Sequence, residues 1–111
     1  MGRRLSAPTE PSEMRVSVSL PALVASPEQH HRSKVRVEGY ARFEFEGNTL
    51  CPDQGRADWK ACLWLDIEGV ADPGFRRARV AIEGTFDGEN LGHLGIAGGA
   101  IGQITVITRI K

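Results

Sequence analysis

The sequence predicts a mainly β chain that closes into a single small five-stranded barrel, with short helical turns ahead of it. Apolar and polar residues alternate from Val35 to Phe45 around one glycine, Gly39. That is the two-residue period of a half-buried strand. Similar wording returns at Val80-Ala81-Ile82-Glu83-Gly84-Thr85-Phe86. A glycine inside a strand weakens it unless a bend or bulge is wanted. Gly39 and Gly84 are therefore expected where two long strands coil from one half of a barrel to the other.

At 111 residues the chain makes one domain. Lys+Arg and Asp+Glu number 14 each, so the formal net charge is zero. A general nucleic-acid binder carries a basic footprint, because phosphate neutralisation supplies most of its nonspecific affinity. None is visible at the level of the whole chain; local patches remain open, for example Arg76, Arg77 and Arg79. No apolar run approaches a membrane span. Arg3 and Arg4 are followed by Pro8, Glu10, Pro11 and Glu13 rather than by an apolar core, which does not read as a secretory signal. The cytoplasm is the expected location. Cys51 and Cys62 are no disulfide framework. They read as two free thiols in a reducing compartment, with a bridge between them left open.

Residues 1–14 are rich in Pro, Ser and Glu and are expected to form a disordered tail ahead of a barrel domain at 15–111. Val16 and Val18 open the ordered chain. Ser19 has the character of a helix N-cap, with Pro21 in the first turn and Leu20, Leu23 and Val24 on one face. Ser26-Pro27-Glu28-Gln29 restarts that signal. Two helical turns, about 20–25 and 27–31, are expected to cover one end of the barrel.

The first long strand starts at Lys34, with Val35, Val37 and then Tyr40 or Ala41 inward, and Phe43 and Phe45 continuing the apolar side. Residues 47–60 are turn formers and charges, with Thr49-Leu50-Cys51 as a short strand inside them. Ala61 to Ile67 is the next strand. Leu63, Leu65 and Ile67 face the core, and Trp64 stands on the second face for the helices or a partner to cover. Asp72-Pro73-Gly74 marks a turn in the connection 68–77. Arg79 to Asp87 is a strand with Val80, Ile82 and Phe86 inward. A glycine-rich loop at 87–99 leads to a β-branched closing strand, 100–110, with a bulge near Gly102 or Gln103.

This order of strands resembles the OB-fold, a partly open five-stranded barrel. Over Val18 to Ile110 the chain also resembles a group of small uncharacterised bacterial proteins of OB-like fold. The residues concerned are Ser19-Leu20, Val35-x-Val37-Glu38-Gly39-Tyr40, Phe45-Glu46-Gly47-Asn48, Leu63-Trp64-Leu65, Glu83-Gly84-Thr85-Phe86-Asp87, Gly92-His93-Leu94-Gly95, Ile104-Thr105 and Thr108-Arg109-Ile110. Val106-Ile107 interrupt the Ile-Thr-Arg-Ile ending of that group and leave the register of the last strand open. The resemblance implies a fold and brings no activity.

In an OB-fold the ligand face lies on the second and third strands, between loops that here correspond to 47–60 and 87–99. Those loops and the strand between them supply the candidate partner-binding residues Asn48, Arg56, Trp59, Trp64, Asp87, Asn90 and His93. An exposed tryptophan beside an arginine, as in Arg56 and Trp59, is the usual composition of an interface hot spot. Strand edges of a small barrel offer a further mode, β-augmentation. The expected function is a non-catalytic module that binds another protein, for example of inhibitor or immunity type.

A single-stranded nucleic-acid binder is the alternative, with Trp59 and Trp64 stacking and Arg36, Arg42 and Arg56 on phosphates. Glu38, Glu44 and Glu46 interleave with those arginines and count against it. A cysteine enzyme using Cys51 and His93 is the third reading. Neither His-x-x-x-His nor Cys-x-x-Cys spacing occurs, so no metal and no cofactor is expected.

Overall fold

The computed structural model describes residues 16–44, 47–54, 59–92, 95 and 97–110. Its elements are β1 (Val16–Ser17), α1 (Leu20–Ala25), α2 (Pro27–His30), β2 (Lys34–Arg42), β3 (Thr49–Cys51), β4 (Leu63–Leu65), β5 (Arg77–Asp87) and β6 (Ala100–Arg109). A single 3-10 turn, Trp59–Ala61, precedes β4. The expected tail at 1–14, together with Phe45, Arg56 and His93, lies outside the described residues.

Five strands close a ring in the order β2-β3-β4-β6-β5, and β5 returns to pair with β2. Neighbours run antiparallel except β4 and β6, which are parallel. This is the OB-like barrel, with β1 added in parallel beside the start of β2. β2 pairs β5 along its whole length, from Lys34↔Thr85 to Arg42↔Arg77. Its last residues also pair β3, from Tyr40↔Cys51 to Arg42↔Thr49. One long strand thus serves both halves of the barrel.

Gly39 makes that double service possible. A Cβ there would stand 2.7 Å from the Cys51 carbonyl oxygen and 2.9 Å from Leu50 Cγ. Any side chain would force β3 away. Gly84 has the same role on β5, where a Cβ would meet the Gly102 carbonyl oxygen at 2.7 Å and Ile101 Cγ2 at 2.8 Å. Opposite Gly84 the β5–β6 register shifts, from Glu83↔Val106 to Thr85↔Gly102. The extra residues of β6 include Gln103, whose φ of 47° lies in the left-handed region. This is the expected bulge.

The core runs through Val35, Val37, Ala41 and Phe43 from β2 and just beyond, Leu50, Leu63 and Leu65, Val80, Ile82 and Phe86, and Ile101. Ala41 rather than Tyr40 points inward, because Gly39 keeps the alternation in phase. On β6 only Ala100 and Ile101 are buried; Ile104 and Ile107 are half-buried and Val106 is exposed. The closing strand is therefore less embedded than its β-branched composition suggests.

Helix α1 plugs one end of the barrel with Leu20 and Leu23. The Ser19 side chain accepts a hydrogen bond from the Ala22 N–H at 3.2 Å, the expected cap. Helix α2 ends at His30, and Arg32, with a φ of 68°, turns the chain into β2. The Arg32 N–H donates to the Phe86 carbonyl at 2.7 Å, tying that corner to β5.

Three expectations change. The strand read at 61–67 shortens to Leu63–Leu65, because the 3-10 turn and Cys62 occupy its first residues. The strand read from Arg79 begins at Arg77. Cys51 and Cys62 are not free thiols: they form a disulfide, with Cα atoms 4.3 Å apart. The β3–β4 register explains the bond. Thr49 pairs Trp64 and Leu50 pairs Leu63, so the next position brings Cys51 opposite Cys62.

Candidate partner-binding surface

The stretches 47–60 and 87–99 do meet, at the end of the barrel that α1 covers. The Gly98 N–H donates to the Cys62 carbonyl at 2.8 Å, and the Trp64 N–H donates to the Gly99 carbonyl at 2.8 Å. The disulfide fixes the end of the β3–β4 hairpin beneath this junction. A Cβ on Gly98 would lie 2.5 Å from the Lys60 carbonyl oxygen, so the two backbones touch.

What gathers there is largely turned to holding the loop. The Asn90 side-chain oxygen accepts from the Gly92 N–H at 2.9 Å, and Asp87 Oδ1 accepts from the Glu89 N–H at 3.0 Å. Both are side-chain-closed turns. Gly92, at φ 75°, lies against Trp64: a Cβ there would be 2.8 Å from Trp64 Cβ and 2.9 Å from its Cγ. The chain's own loop therefore leans on this half-buried tryptophan. His31 Nδ1 accepts from the Gly88 N–H at 3.1 Å and fastens the start of the loop to α2. Trp59 is half-buried in the 3-10 turn.

The outer face of β3 and β4, where OB-like barrels commonly take oligonucleotides, is also occupied from within. Thr49 and Cys51 share the outward side with Arg42 and Tyr40, yet both are fully buried, at 0 % exposure. Arg42 reaches across this face to donate to the Gln54 carbonyl, with its guanidinium carbon 5.6 Å from the centroid of the Tyr40 ring. Tyr40 and Arg42 are thus engaged with the chain itself rather than laid out as a stacking platform.

Of the expected site residues, the junction collects Trp59, Trp64, Asp87 and Asn90. Asn48 does not join them. Its carbonyl accepts from the Leu65 N–H at 2.9 Å, and it lines a groove with the connection 66–76. Cys51, bonded to Cys62, offers no thiolate, so the pairing with His93 lacks its nucleophile in this state. Among the described residues no group of three or more His, Cys, Asp or Glu is placed to hold a metal ion.

The groove beside Asn48 measures about 710 Å³. Phe43, Ile67, Val70 and Ile107 are its apolar lining, and Glu44, Asp72, Arg76 and Arg77 its charged residues. Phe75 supports it, with its ring edge-on to Phe43 at 5.7 Å between centroids and the Arg109 guanidinium carbon 5.4 Å from its own centroid. Arg77 is fixed by Glu44, its Nε donating to the carboxylate at 2.7 Å. Next to it a second cleft, about 390 Å³, separates 69–73 from Ile104–Ile107 of β6. Sequence reasoning passed over this surface because its parts are far apart in the chain. The signal available was Val70 and Phe75, two large apolar residues in an otherwise polar connection.

No protein-family model, curated protein or solved structure matches the chain. No described helix is long and apolar enough to cross a membrane.

Proposed function

We propose that the protein is a non-catalytic module that binds a protein partner, and that the partner docks on the open side of the barrel rather than on the two loops. One observation supports this above the others. The groove of about 710 Å³ has an apolar lining with charged residues about it, and it adjoins a stretch of β6 whose edge away from β5 is paired by no described strand. An apolar centre with a polar rim is the anatomy of a protein interface. A bare strand edge beside it suits an extended segment of the partner. The loop junction offers less, since its polar groups close turns and its tryptophan is leaned upon by Gly92. The same covering of β3 and β4 counts against a single-stranded nucleic acid at the usual face.

The buried disulfide favours work in an oxidising compartment over the cytoplasm expected of two free thiols.

The test is a binding titration. A protein captured on the immobilised chain is purified and titrated against wild type, Val70→Arg and Trp59→Ala. The expected result is a Kd raised at least about tenfold by Val70→Arg, as for an apolar contact replaced by a charge, with Trp59→Ala near wild type. The reverse pattern would return the site to the loops and end this reading.

A further inference from the structure

We infer that the uncovered edge of β6 is the docking site for a second copy of this chain, paired strand to strand about a two-fold axis at Thr108. The phase of the β5–β6 ladder sets this up. The Ile110 N–H donates to the Arg79 carbonyl at 2.8 Å. Backbone groups alternate in direction along an antiparallel strand. Thr108 and Val106, aligned with Ala81 and Glu83, therefore turn their N–H and C=O groups toward β5. Ile107 and Arg109, aligned with Ile82 and Val80, turn theirs away. On that side β4 pairs only Ala100 and Ile101. Beyond them no described strand adjoins β6.

Natural sheets protect such an edge with charges, proline or a bulge. From Ala100 to Thr108 this strand has no charged residue and no proline. Its bulge lies upstream, at Gln103, and leaves 106–109 in regular pairing with β5.

A second copy complements this edge better than an arbitrary strand does. With the axis at Thr108, Ile107 faces Arg109 of the second copy, and Arg109 faces its Ile107. Each such pair exchanges both backbone hydrogen bonds. Thr108 meets Thr108, a favourable cross-strand pair. Val106, 38 % exposed, meets Ile110. Charge complementarity selects the same occupant. Arg109, the one charged residue of β6, lies over Phe75 in its own chain, and this register moves it from that exposed ring contact to Ile107 of the other copy. Across the cleft from Ile107 stands Asp72. In its own chain Asp72 Oδ1 accepts from the Gly74 N–H at 2.9 Å and pairs loosely with Arg76, at 4.0 Å between two groups about 70 % exposed. Both contacts use Oδ1 and exposed ion pairs contribute little, so Oδ2 is the oxygen offered to an incoming arginine. The two-fold axis repeats every contact, as an isologous interface requires.

This inference rests on the reading that the open side of the barrel is the docking surface. Sedimentation equilibrium of the full chain over a range of concentrations tests it. The expected result is a reversible approach to the mass of two copies. Asp72→Arg and Arg109→Asp should each raise the dimer Kd by about tenfold, the effect of two symmetric charge contacts. The double variant should restore it, with circular dichroism verifying that each variant is folded. A one-copy mass at every concentration, or single variants without effect, or no rescue in the double, overturns the second copy as occupant. A purified heterologous partner that still loses affinity to Val70→Arg would leave the docking surface standing in that case. Unchanged affinity would remove both.

Discussion

Removing the Cys51–Cys62 bond should cost the fold about 3 kcal/mol. The cysteines are 11 residues apart in sequence, and a cross-link closing a loop of that size removes about that much unfolded-state freedom at room temperature. For a domain near this size each kcal/mol moves the midpoint by roughly 4–8 °C. The double variant Cys51→Ala/Cys62→Ala should therefore melt about 12–24 °C below the oxidised protein. Both sulfurs are buried, at 0 % exposure, so the variant also leaves two small apolar vacancies that push in the same direction. The assay pairs urea and thermal melts by circular dichroism, with and without reductant, with thiol titration of the denatured, unreduced protein. Two titratable thiols in that sample, or coincident midpoints with and without reductant, would refute the reasoning.

Two further substitutions test the close approaches. Gly39→Val places a branched side chain where a Cβ alone already stands 2.7 Å from the Cys51 carbonyl oxygen; it should destabilise by at least about 2 kcal/mol, the range of overpacked cores, read as a lowered urea midpoint. Gly92→Ala combines a φ of 75° with a contact 2.8 Å from Trp64. It should shift Trp64 emission and cost about 1–2 kcal/mol of left-handed strain, whereas Ala substituted at the exposed Asn90 neighbour Leu91 should leave emission unchanged.

The strands were legible because alternation is local. Val35, Val37 and Ala41 fall on one side of β2 by counting in twos, and the same count through Gly84 places Phe86 in the core. Ser19 was legible as a cap because its bond spans three residues. The disulfide was not, since spacing alone cannot set two Cα atoms 4.3 Å apart; it follows only once Leu50 is known to pair Leu63. The candidate site was half legible. The loops converge as expected, but whether Trp64 is bare or covered depends on Gly92, nearly thirty positions along. The groove was out of reach because Phe43, Val70 and Ile107 come from three separate parts of the chain.

The pairing of β2 with β5 has a consequence for the order in which the chain is made. The hairpin of β3 and β4, with its cysteine pair, is local and can close early. β2 cannot bury its other edge until residues 77–85 exist. Contacts of long sequence separation come at a high entropic cost and form slowly. During synthesis, then, the first half of the barrel must persist as an open sheet, held by the α1 plug and a covalent clasp, until Arg77 to Asp87 emerges to shut it.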